Sequence, residues 1–146
     1  YFVFSTQEEV GLRGATTAAY AIDPDLGIAS DVTMTGDTPR GIKMDVALGK
    51  GPAIKVKDGG MLADPKVVDA MVQCAQKHEI PYQLEVLLGG TTDAKAMQIS
   101  RAGMPAGCVS VPTRYVHTPS EMVDINDLNN AVKLLTAFIS EPIKLA

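Results

Sequence analysis

Apolar and polar positions along the chain change period from segment to segment, and each change predicts an element. The run Tyr1-Phe2-Val3-Phe4 reads as a buried strand already under way at the first residue. A polar turn from Ser5 to Gly11 follows, after which Leu12, Ala15, Ala19 and Ile22 recur at helical spacing as far as Pro24. Leu26 to Val32 lacks polar alternation, the mark of a strand covered on both faces. Glycines and prolines between residues 34 and 52 predict a loop, with a short strand around Met44 to Leu48. Ala53 to Val56 is strand-like. Asp64-Pro65 supplies an N-cap and a first-turn proline for a helix over 65–78, with Val68, Met71, Val72 and Ala75 on its apolar face.

Tyr82, Leu84, Val86 and Leu88 then alternate with Gln83 and Glu85, as in a strand near a sheet edge with one less buried face. After the turn Gly89 to Asp93, a helix is expected to run to Gly103, and Ala106 to Val111 has the small and β-branched residues of a buried strand. A last helix begins near Asp124 and directs Leu128, Ala131, Val132, Leu135, Phe138 and Ile139 at the sheet. Alternating strands and helices of these lengths, without repeats, predict a three-layer α/β sandwich with a mixed, largely parallel sheet flanked by helices.

Composition adds bounds to this picture. At 146 residues and 46% hydrophobic, the chain suffices for one core and not for a second full domain. The net charge of -4 comes from interspersed acids and bases, so there is no basic stripe to neutralise phosphates and nucleic acid is not an expected partner. No apolar run reaches the roughly 18 residues that span a bilayer, so no membrane partner is expected either. Cys74 and Cys108 lie in apolar periodic segments and form no CxxC pair, which suggests buried thiols in a reducing, cytoplasmic setting.

Sites in open α/β sheets gather at the carboxyl ends of strands. Three polar features follow strands here: Glu8-Glu9, Asp31 and His117. Carboxylates with an imidazole suit zinc, cobalt or manganese, and a further acid beside a metal can take a proton from bound water. On an extended segment Glu8 and Glu9 would point opposite ways, one to metal and one to water. Simpler explanations stand beside this one. An acidic pair ahead of a helix also complements the helix dipole, Asp31 could cap a helix or a turn, and His117 could be an ordinary surface histidine. His78 is most simply a dipole partner at a helix end. Gly89 to Asp93 could hold an anion or merely connect, and neither Gly49-Lys50-Gly51 nor Gly11 with Gly14 completes a nucleotide-binding motif.

The segments FSTQEEVGLRGA, ASDVT, LGKGPAIKV, LLGGTTDA and VPTRYVHTPSE add what spacing cannot. In this order, over essentially all of the chain, they resemble metallo-aminopeptidases of the glutamyl or TET type, a group in which some relatives carry the name endoglucanase. The resemblance implies a phosphorylase/hydrolase-like fold of the zinc-peptidase type, two divalent metal ions (zinc, cobalt or manganese) and peptide substrates. It also implies a homo-oligomer, dodecameric in relatives. Residue by residue it makes Glu8 the general base, Glu9 and His117 ligands of one metal, and Asp31 a ligand of the other. Thr92 and Asp93 would support the site, and Arg114 and Glu121 would stand behind it. HTP replaces the more usual HSP, and Thr91 a usual glycine, which leaves every ligand type intact. A metal-binding HxD motif and an inserted β-barrel domain lie upstream in relatives, so residues 1–146 are expected to be the C-terminal portion of the catalytic domain, inactive alone. The readings kept beside this one are a related two-metal deacylase or carboxypeptidase, a glucanase, and a fragment with a structural or assembly role only.

Overall fold

A computed structural model describes residues 1–145. The first helix, α1 (Arg13–Ile22), is followed by β1 (Gly27–Thr33) and β2 (Ala53–Lys57), then α2 (Pro65–Lys77), β3 (Gln83–Val86) and α3 (Asp93–Gln98). Strand β4 (Ala106–Arg114), the short β5 (Met122–Val123) and α4 (Ile125–Ser140) complete the order. The strands lie side by side as β1-β4-β2-β3, with β5 on the end of β4. Pairs β1/β4 and β2/β3 are parallel, and the antiparallel pair β2/β4 joins them, so the sheet is mixed as expected.

The small residues explain how closely the layers approach. A Cβ on Gly107 of β4 would lie 2.7 Å from Val67 of α2, and one on Gly27 of β1 would lie 2.8 Å from Met97 of α3. Gly27 pairs with Ala106 and Ile28 with Gly107, so these two glycines face opposite sides of the sheet. Helix α2 therefore covers one face and α3 the other, which gives the three layers. The core joins Ile54, Val67, Met71, Cys108, Val109, Leu134 and Phe138. Asp64 and Asp124 cap α2 and α4 by accepting the N–H of Lys66 at 2.9 Å and of Asn126 at 2.7 Å.

Several sequence expectations are corrected. Residues 1–4 form no strand, and Tyr1 and Phe4 are both 98% exposed. No strand forms at Met44 to Leu48 either. Instead Gly36 N–H donates to Val46 O at 2.8 Å and Gln83 fixes Ala47 through both its N–H and its C=O. Helix α3 stops at Gln98 rather than Gly103, whereas β4 runs three residues past Val111. In α4 the buried positions are Asp127, Ala131, Leu134 and Phe138, while Leu128, Val132 and Ile139 face outward. Asp127 sets this rotation, because its carboxylate accepts the N–H groups of Gly49 and Gly51, each at 2.7 Å, and must point inward to do so.

The register of α4 has a measurable consequence. Replacement of Leu134, which is fully buried, by Ala should cost roughly 2–5 kcal/mol of stability. Leu135→Ala should cost less, because that side chain is only partly buried at the core margin. Urea denaturation of the two variants checks this ordering, and the reverse order would contradict the rotation described.

Candidate active site

The acidic pair does not lie on an extended segment. Glu8 and Glu9 occupy a 3-10 turn, Glu8–Val10, entered through Gln7 and left through Gly11 and Leu12, all three at positive φ. With three residues per turn, neighbouring side chains diverge by about 120°, so the two carboxylates still point apart. The turn is held against α1 because Gly14 N–H donates to Thr6 O at 2.9 Å, and a Cβ on Gly14 would stand only 2.4 Å from Thr6 N. Ser5 Oγ donates to Asp93 Oδ2, which ties the same segment to the start of α3.

Glu9 meets the histidine. His117 Nε2 and Glu9 Oε1 are 3.1 Å apart across 108 residues of sequence, and both side chains stay accessible to solvent. His117 lies in the turn after β4 with φ 63, a left-handed conformation that costs a non-glycine residue energy. Its backbone N–H donates to Glu121 Oε1 at 2.7 Å, so Glu121 stabilises the turn that presents the imidazole.

Glu8 and Asp31 share an electronegative environment. Burial pushes the Glu8 carboxyl above its ordinary value, and the charges of Asp31, Glu9 and Asp93 push the same way, opposed by His117. The Asp31 carboxyl is likewise raised, first by burial. The Val32 N–H, which donates to Asp31 Oδ1 at 2.7 Å, and the Lys55 charge oppose that shift, while Asp93 and Glu9 add to it. Asp93 Oδ1 is buried with no hydrogen-bond partner. Crowded carboxylates with raised pKa values and an orphaned oxygen are the environment a cation relieves.

The other expected site residues do different work. Thr92 is the N-cap of α3, its hydroxyl accepting the Ala94 N–H at 3.3 Å. Arg114 donates to Asp37 through Nε at 3.1 Å and Nη2 at 2.7 Å. Arg114 holds the Asp37 carboxyl well below the usual range, and Asp37 also accepts the Leu48 N–H at 3.1 Å. His78 is elsewhere, 3.4 Å from Glu141.

Sequence reasoning missed the buried charges beside Asp31. Lys55 Nζ lies 2.5 Å from Glu85 Oε1 and 3.9 Å from Asp58 Oδ2, and Thr33 Oγ1 donates to Glu85 Oε1 at 2.6 Å. All four residues are at most 3% exposed. The only sequence signal is polar residues at inward strand positions, and the alternation in β3 predicts Glu85 on its less buried face.

The donor set of Glu9, Asp31 and His117, two carboxylates and an imidazole, is chemically suited to a divalent transition metal, with Glu9 and His117 already in contact. Among the described residues, no group of three or more such side chains is closed into a metal cage. The residue types of this set fit part of such a centre. No helix among the described residues is long and apolar enough to cross a membrane.

The chain is similar to known aminopeptidases along almost its whole length. The chain is 52% identical over 139 residues to a provisionally named aminopeptidase of Acetivibrio thermocellus, covering 95% of this chain and 42% of that protein. It is 44% identical to the lysyl aminopeptidase of Pyrococcus furiosus, covering 97% and 40% respectively. It thus spans about two fifths of the length of these curated relatives. Among solved structures, the aminopeptidase APDkam598 of Desulfurococcus kamchatkensis superposes with a TM-score of 0.91 at 49% identity, over 95% of this chain and 40% of that one. The TET1 peptidase of Pyrococcus horikoshii, which can assemble into a tetrahedron or a large octahedral shell, gives 0.77 at 35% identity over 92% and 38%. The family model for M42 glutamyl aminopeptidases matches residues 1–134, and the chain belongs to that family.

Proposed function

We propose that this chain contributes the general base and three metal ligands to an aminopeptidase that removes N-terminal residues from peptides. The observation that carries the proposal is the convergence of Glu9 with His117, and of Glu8 with Asp31 and Asp93, from segments up to 108 residues apart. In this reading Glu9 and His117 hold one divalent ion and Asp31 reaches the other. The resemblance implies further ligands, a histidine and a bridging aspartate, that these four residues do not supply. Zinc, cobalt or manganese bound there supplies Lewis-acid polarisation of the scissile carbonyl and a lowered pKa for the attacking water.

The side chains of this chain then divide the remaining work. Glu8, not paired with the imidazole, accepts the proton of the attacking water and delivers it to the departing amine. Burial raises its pKa above the ordinary carboxylate value, which favours acceptance of the proton. Burial chiefly keeps that pKa up, and the charges of Asp31, Glu9 and Asp93, the last fixed by Ser5, add to it. Glu121 and the Arg114–Asp37 pair set the turns that carry His117 and the 34–52 loop. By likeness to the TET peptidases, the whole protein is proposed to act as a homo-oligomer on peptide substrates. A glucanase would need two carboxylates arranged about a sugar rather than metal ligands, and chelation separates that reading from this one.

Three outcomes are expected. In the full-length protein, chelation should abolish hydrolysis of aminoacyl anilides. Glu8→Gln should lower kcat by at least about 10²–10⁴ while bound metal, measured by elemental analysis, is unchanged. A chelator-insensitive rate, or an active Glu8→Gln enzyme, would sink the mechanism. Glu121→Ala should weaken metal binding by about 10-fold or more, with Glu121→Gln restoring most of it because the amide oxygen can still accept the His117 N–H. Equilibrium dialysis reads the difference.

A further inference from the structure

We propose that Thr33, Glu85 and Lys55 form a buried positioning device for Asp31, so that metal occupancy at the site depends on three residues that are not ligands. The inference rests on the reading of Asp31 as a metal ligand. Asp31 and Thr33 are two apart on β1 and project to the same face of the sheet. They stand near the end of the β1/β4 ladder, where Thr33 pairs with Pro112, a residue with no N–H to offer. On this face the Thr33 hydroxyl adds a tie by donating to Glu85 Oε1 on β3.

Glu85 is fixed in turn. Its Oε1 also takes Lys55 Nζ, and Lys55 is flanked on its other side by Asp58, whose Oδ1 accepts the N–H groups of Gly60 at 2.8 Å and Met61 at 2.7 Å. The cation is thus clamped between one carboxylate locked by backbone and another that reaches β1. A buried ion pair of this kind is weak evidence for stability, since apolar residues of similar volume often serve as well. A device that fixes the rotamer of Glu85, and through it the strand end that carries Asp31, accounts for charge at these positions. The groups behind a ligand commonly change metal affinity about 10- to 100-fold when removed.

The test is cobalt binding to the full-length apoprotein, followed by competition with a chromophoric chelator and by the visible d–d absorption. Thr33→Val keeps the shape and removes the donor. It should lower cobalt affinity about 10- to 100-fold and alter the d–d spectrum with little change in melting temperature, whereas Thr33→Ser should bind as the parent does. Adding Thr33→Val to Asp31→Asn should cause no further loss, because the device has nothing left to position. If Thr33→Val fails to fold, the paired replacement Lys55→Met with Glu85→Met decides, with the same loss expected. Parent-like cobalt affinity and spectrum in a folded Thr33→Val, or in that pair, would overturn the inference while leaving the aminopeptidase reading intact. A parent that binds no cobalt would overturn both.

Discussion

The parallel ladder between β1 and β4 is the interaction on which the site depends. Seven consecutive pairs, from Gly27↔Ala106 to Thr33↔Pro112, lock the two strands in one register. Because the strands run the same way, their carboxyl ends emerge together, and that alone places Asp31 on the same edge as the turn carrying His117. β4 can play this part because it is buried along its length up to Thr113, with helices on both faces and β2 on its other side. Small residues in the ladder, Gly27, Ala106 and Gly107, let α2 and α3 press close enough to exclude water from it. The conformational strain lies outside the ladder, in the positive-φ residues Gln7, Leu12, Tyr115 and His117 that flank the functional side chains.

Secondary structure inside the layers was legible because it follows from periodicity and caps. Asp64-Pro65 and Asp124 marked two helix starts that the structure keeps, and the apolar run at 26–32 gave β1. Rotations about element axes were not legible. A period of two states that β3 has two faces without saying which is inward. Leu84 and Val86 are about half exposed, whereas Glu85 is fully buried because Lys55 on the neighbouring strand and Thr33 on β1 need its oxygen. In α4 the same thing happened through Asp127, whose two backbone hydrogen bonds outweigh the pull of Leu128 and Val132 towards the sheet. A buried charged pair or a buried carboxylate with N–H partners reverses a hydrophobicity count, and such partners are set by tertiary contact.

The site itself was legible only through motif resemblance. Strand-end position suggested Glu8-Glu9, Asp31 and His117, yet equally ordinary explanations existed for each. The contact of Glu9 with His117 and the shared field on Glu8 required the fold. Arg114 shows the converse, since a guanidinium near acids invites a role at the metal, whereas its bidentate partner Asp37 lies in the 34–52 loop. The Phe-rich opening failed as a strand because strand propensity has no effect without a neighbour to supply hydrogen bonds, and no described strand pairs with residues 1–4.

Charge accounting gives a last step. Around Glu8 the named influences are three carboxylates against one imidazole, and around Asp31 they are two carboxylates against Lys55. Lys55 is itself paired with Glu85 and stands near Asp58, and its charge opposes a shift that burial sets first. The chain thus brings acids together without bringing matching bases, and folding alone leaves Glu8 and Asp31 with raised pKa values. The arrangement is stable enough to form because the acids keep some contact with solvent and because Ser5 and the Val32 N–H each satisfy one oxygen. A divalent cation would reverse the sign of the local field, restoring Asp31 to an ordinary carboxylate.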